Sequence, residues 1–199
     1  MDDSLDTSTA PAFFSHSSAR ALCDHPRNVP DRVLTRVRDS GGVVMVTFVP
    51  GFLTEDCRVW MDGLIEEERR LAALGPDGGT AWRVARARWL DKHPRPPCTV
   101  GDVADHVEHV REVAGVDHAG LGGDFDGMVG APDGLGDVSG YPALLDELAG
   151  RGWSDADLAK LSWDNALRVL RETEAAAGRA RAVRGPSLAT MAALDGPER

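Results

Sequence analysis

Apolar positions recur along this chain in two periods, and the period changes place by place. After Pro11, residues 12–15 (AFFS) form a short apolar run, which predicts a buried strand ending at His16. The next ten residues, ARALCDHPRN, are loop composition, with Pro26 and Asn28 interrupting any helix. Val33, Leu34 and Val37 then share one helical face until Gly41 and Gly42 stop it. Residues 43–49, VVMVTFV, are continuously apolar and β-branched. Continuity rather than alternation suits a parallel strand covered on both faces.

Residues 54–74 read as a charged helix, and a helical piece surrounds Trp82 and Trp89 between the loops GPDGG and KHPRPP. Thr99 and Asp102 have the spacing of a capping box opening a helix to Ala114, with Val103, Val107, Val110 and Ala114 as its apolar face. Residues 118–127, HAGLGGDFDG, predict a third strand ending in a glycine-flanked acidic pair. A loop and helix follow in DVSGYPALLDELAGRG, Ser154 opens a short helix, and DNALRVL opens the last long one. MDDSLDTSTA reads as the end of a helix and a loop into the first strand, and a disordered tail is expected from 179 to 199. Strands alternating with helices predict α/β architecture with a parallel sheet and right-handed crossovers.

Composition narrows the chemistry. The 199 residues, 42% hydrophobic and 27% charged, suit one ordinary domain. A net charge of −10 argues against nucleic acid and anionic membrane surfaces, whose phosphates call for a basic patch. Cys23, Cys57 and Cys98 have neither zinc-knuckle nor disulfide spacing, so a reducing, cytoplasmic setting is expected. No run approaches a membrane span and no anchor is read.

The polar candidates lie at the carboxyl ends of predicted strands, where (β/α)8 barrels keep their active sites. His16 can offer an imidazole nitrogen to a metal, oriented by Ser15 or Ser17; a histidine hydrogen-bonded at a strand end is the alternative. Arg27 can grip a carboxylate with two parallel hydrogen bonds, or stand as a solvated loop charge. Asp124 and Asp126 lie on one side if the strand continues through Phe125. His106 and His109, three apart on a helix, read as one histidine on the flank and one in solvent.

Five blocks carry a resemblance. They are FSHSSARALCDHPRNVPD, GGVVMVTFVPGF, HVEHVREVAGVDHAGLGGDFDG, GLGDVSGYPALLDELAGRGWSDADL and DNALRVL. In this order they resemble the membrane dipeptidase (renal dipeptidase) family, with a variable insertion at about 56–97 in a partial barrel domain of residues 1–178. The resemblance implies a zinc-dependent dipeptidase on a (β/α)8 barrel, with two zinc ions in the complete site and a dipeptide as substrate. It implies that His16 ligates one zinc, that Asp124 ligates the other and takes the proton of the attacking water, and that Arg27 holds the substrate carboxylate. Asp126 is implied only as support. The family's HxD pair, bridging glutamate and further histidine have no counterpart here. The expected fold is therefore the C-terminal portion of the barrel, incomplete. A homo-oligomer and a non-catalytic or partner-dependent half-barrel remain open.

Overall fold

A computed structural model describes residues 1–72, 79–190 and 193–194. Its frame is three short parallel strands, β1 (Phe13–Phe14), β2 (Val43–Val46) and β3 (Ala119–Leu121), in the order β1-β2-β3. The register pairs Phe14 with Val44, Val44 with Ala119 and Val46 with Leu121. Side chains alternate across a strand, so this register puts Val44, Val46, Ala119 and Leu121 on one face. That face packs on a helical layer formed by α2 (Asp31–Asp39), α5 (Val100–Ala114) and α6 (Tyr141–Gly150). Val33, Leu34, Val37, Val103, Val107, Val110, Leu144 and Leu148 meet it there, all fully buried. On the opposite face Gly120 lies against Met45, where an added Cβ would come within 2.9 Å of Met45 Cγ.

The amino-terminal segment is the expected helix end, α1 (Asp2–Thr7), tied to α2 by Arg32 and Arg36 through Asp2. The insertion forms α3 (Glu55–Ala72) and α4 (Thr80–Lys92), packed on each other. Cys57, Leu64 and Leu71 bury one face of α3, whereas α4 buries no residue fully. The end of the predicted helix at Leu74 and most of the GPDGG loop fall outside the described residues. The capping box of α5 forms as expected: Asp102 accepts from the Thr99 amide at 2.7 Å. Ser154 caps α7 (Asp155–Ala159), and a π-helical turn, Lys160–Asp164, leads into α8 (Asn165–Val183).

The last helix continues through Gly178 to Val183, because the alanines and arginines around that glycine are strong helix formers. Residues 184–190 have no regular element, and part of the remaining tail lies outside the described residues. α8 seals the amino-terminal ends of the strands. Arg168 donates to the carbonyls of Gly41 and Asp117, and Asn165 to those of Val116 and Ala119. The carboxyl ends of the strands are left to the loops.

Two strands are shorter than the hydrophobic runs suggest. β2 stops at Val46 because Pro50 and Gly51 turn the chain into a 3-10 turn, Pro50–Phe52. Beyond the strand one bond persists, from the Phe48 amide to Gly123 O at 3.4 Å. β3 ends at Leu121, so the GGDFDG segment is a turn. The same-side alternation of Asp124 and Asp126 therefore does not apply.

Candidate functional site

Three loops meet at the carboxyl ends of the strands. The first leaves β1 at Ser15. The Ser17 amide extends the ladder by donating to Met45 O at 2.9 Å, and His16 lies half-buried between them. The third follows β3, where the Gly122 amide donates to Val46 O at 2.9 Å. These two loops touch: a Cβ on Gly122 would sit 2.0 Å from Ser15 O. Only glycine allows that approach, and it brings the segments carrying His16 and Asp124 together.

Asp124 is the one non-glycine residue with positive φ (59°) among the described residues. Aspartate tolerates this left-handed conformation better than most residues, and such outliers collect at functional sites. The turn closes with the Gly127 amide on Asp124 O at 3.0 Å. A Cβ at Gly127 would lie 2.6 Å from Asp124 Oδ1, so glycine there leaves room for the carboxylate. Phe125 turns inward and packs edge-on against Phe48 and Tyr141, at ring separations of 5.7 and 6.1 Å. The aromatic cluster pins the turn from below. Asp124 stays half-buried and Asp126 is exposed.

Arg27 comes from the loop after β1, in a tightly bonded stretch. Ala19 and Val29 pair as an isolated parallel bridge, and His25 stacks on Phe52 at 4.0 Å. Burial holds the His25 imidazole below its ordinary pKa. The Arg27 guanidinium lies over the same Phe52 ring at 5.2 Å and places Nη2 2.5 Å from His16 Nε2. An arginine has only donors, so His16 Nε2 accepts. The His16 proton is then on Nδ1 and is donated to Ser15 Oγ at 2.8 Å. Ser15 thus fixes the tautomer in which Nε2 carries the lone pair, and in this structure that lone pair accepts from Arg27. His16 and Arg27, picked from sequence alone, meet directly.

One imidazole and one carboxylate are the right donor types for zinc, but catalytic zinc sites use three protein ligands. Among the described residues no group of three or more His, Cys, Asp or Glu side chains is placed to hold a metal ion. Among the described residues, His16 and Asp124 thus offer fewer donors than such a site uses.

His106 corrects the sequence reading. It is neither on the flank nor in solvent but 1% exposed in the core, accepting from the Ala19 amide at 3.0 Å and facing Leu53 O at 2.8 Å. The signal was present, since position 106 lies one turn from both Val103 and Val110 on the apolar face of α5. His109 is bound to Asp31 at 2.8 Å rather than free in solvent. Asn28, fully buried, is a second polar residue that loop composition hid.

The family model for membrane dipeptidases (peptidase family M19) matches residues 1–184. An uncharacterized dipeptidase of Schizosaccharomyces pombe is 42% identical over 175 residues, 87% of this chain and 34% of that protein. Dipeptidase 3 of Homo sapiens is 36% identical over 170 residues, 85% of this chain and 27% of that one. Among solved structures, the probable dipeptidase PvdM from Pseudomonas aeruginosa superimposes with a TM-score of 0.69 at 28% identity, over 87% of this chain and 48% of that one. A metallo peptidase from Rhodobacter sphaeroides, liganded with a phosphinate mimic of the dipeptide L-Ala-D-Ala, gives 0.64 at 28% identity, over 86% and 39%. The chain thus spans about a third of the length of these curated relatives, and its three parallel strands and their helices correspond to part of a (β/α)8-type metal-dependent hydrolase barrel. With a family match across nearly its whole length, the chain belongs to the membrane dipeptidase family.

Proposed function

We propose that this chain carries the carboxylate-recognition part of a zinc-dependent dipeptidase site, in which Arg27 holds the substrate's C-terminal carboxylate and His16 and Asp124 are metal donors. The observation that carries the carboxylate role is the placement of Arg27 beside His16 at the strand ends; a metal on His16 Nε2 would take the place of the Arg27 N–H at that atom. The guanidinium is exposed, one planar face is backed by the Phe52 ring, and its other N–H groups are open to a planar anion. The dipeptidase names of the relatives, and the dipeptide mimic bound by the Rhodobacter sphaeroides peptidase, support a dipeptide as the substrate class.

In this reading Arg27 turns part of the dipeptide's binding energy into alignment of its peptide bond. Asp124, held at the edge of the site by the Gly123–Gly127 turn, takes up the proton of the attacking water. The full complement of two zinc ions needs ligands beyond those described. No nucleic-acid partner is proposed, given the acidic chain. The cytoplasmic setting remains part of the proposal, supported by three buried, unpaired cysteines.

The donor count favours a second reading, in which residues 1–199 bind dipeptides without turning them over. One set of measurements separates the readings. Glycylglycine and glycylglycinamide are titrated against residues 1–199 by calorimetry, and bound zinc is measured after dialysis. Tighter binding of the free acid, abolished by Arg27→Lys, supports the carboxylate site. Substoichiometric zinc with no turnover supports the second reading, and two tightly held zinc ions with turnover support the first. Equal binding of acid and amide would sink both.

A further inference from the structure

Two buried polar side chains hold the loop that carries Arg27. His106, from α5, accepts the Ala19 amide at Nδ1, so its proton is on Nε2 and is donated to Leu53 O. Burial keeps this imidazole below its ordinary pKa, in the neutral form that the two bonds require. Asn28, the residue after Arg27, accepts the Ser18 amide at 3.1 Å and donates to Cys23 O at 2.9 Å and Phe52 O at 2.8 Å. His106 and Asn28 therefore join the start of the loop, its end and the Pro50–Phe52 turn. That turn supplies the ring on which Arg27 and His25 rest.

We infer that His106 and Asn28 are positioning residues, a paired clamp that fixes the Arg27 loop against the Phe52 turn and so aims the guanidinium at the His16 end of the site. The inference rests on the proposed role of Arg27 for its consequence in binding, but not for its geometry. Arg27 is exposed, and its own contacts are with His25, His16 and the Phe52 ring. Its direction is inherited from the residue beside it and from the ring beneath it. A buried unpaired amide or carbonyl is costly, so removing either clamp residue drives the loop to rearrange rather than leave its polar groups unmet.

The test uses 15N-labelled residues 1–199 and the variants His106→Phe, His106→Gln and Asn28→Ala. The Arg27 Nε–H resonance is identified by its loss in Arg27→Lys. The indole N–H resonances of Trp60 and Trp153 report whether the rest of the fold is intact. In folded His106→Phe and Asn28→Ala, the Arg27 resonance should move towards that of a freely solvated arginine. The preference for glycylglycine over glycylglycinamide should fall about tenfold, the loss of one hydrogen bond to a charged group. His106→Gln keeps a donor for Leu53 O and should recover part of both readouts; it also serves if the phenylalanine variant does not fold. Folded variants that keep the Arg27 resonance and the preference would overturn the inference. If the wild-type chain shows no preference for the acid, the carboxylate role fails by itself. The Arg27 resonance then decides the clamp: moved in the variants, it stands; unmoved, it falls.

Discussion

The contact between Gly122 and Ser15 makes a sharp prediction, because it joins fold and site at one atom pair. Gly122→Ala adds a single methyl group. Its carbon would stand 2.0 Å from Ser15 O, 3.1 Å from Ser15 C and 3.1 Å from Met45 Cβ. The backbone of Gly122 is not in the left-handed region, so alanine meets no conformational penalty there and the effect is steric alone. The nearest neighbour is backbone within the β1 ladder, unable to swing aside as a flexible side chain would. Relief requires the Ser15–Ser17 segment to separate from β3, with strain on the Ser17 amide bond to Met45 O and the Gly122 amide bond to Val46 O.

Overpacking of this kind costs about 1–3 kcal/mol, and backbone as the obstacle argues for the upper end. At roughly 2–4 °C per kcal/mol for a chain of this size, the melting temperature should fall by about 6–12 °C. Gly136→Ala is the matched control, since nothing lies within 4 Å of its added Cβ. Calorimetry of the two variants beside the wild type, with the Arg27 Nε–H resonance as a reporter of the site, gives the answer. Should Gly122→Ala melt within a degree of Gly136→Ala, the close approach of the two loops, and the convergence of His16 and Asp124 built on it, would be refuted.

Other outcomes follow from the same geometry. Arg27→Lys keeps the charge but loses the planar fork, so it should weaken glycylglycine binding about tenfold while leaving glycylglycinamide unchanged; equal effects on both would remove Arg27 from carboxylate binding. Phe13, Trp163 and Leu170 are 47%, 64% and 54% exposed around one apolar groove beside β1, so residues 1–199 should self-associate. Trp163→Glu should shift the sedimentation profile towards monomer, and a wild-type chain already monomeric at tens of micromolar would count against that face. Finally, His106 is buried with its pKa lowered, so the native state resists its protonation. Its contribution to stability should be present above pH ~6.5 and lost as pH falls towards the lower folded value. Asp102, Asp105 and His109 also face His106, so the comparison is with His106→Gln, whose melting temperature should fall less between pH 7 and pH 5.

Legibility in the sequence followed the range of the interactions. The apolar face of α5 and its cap were readable because every partner lies within four residues, as in Thr99–Asp102 and Val103–Val107. The strands were located but overextended. Hydrophobic runs report burial, and Thr47–Val49 are buried beyond the regular ladder, where the turn at Pro50 leaves the Phe48 amide bonded to Gly123 O. His16 and Arg27 were found by their motifs, but their mutual contact, across eleven positions, depends on how the loop folds over Phe52. His106, read with His109 as a flank-and-solvent pair, escaped that reading for a related reason. Its position on the Val103–Val110 face points inward, and burial there is met because two backbone groups, 87 and 53 residues away, satisfy both ring nitrogens. A buried polar side chain is explained only by its distant partners, and those the local pattern cannot supply. The site follows the same logic at one remove: its recognisable side chains stand at loop ends, and the buried His106 and Asn28 hold that loop through backbone partners that no local pattern supplies.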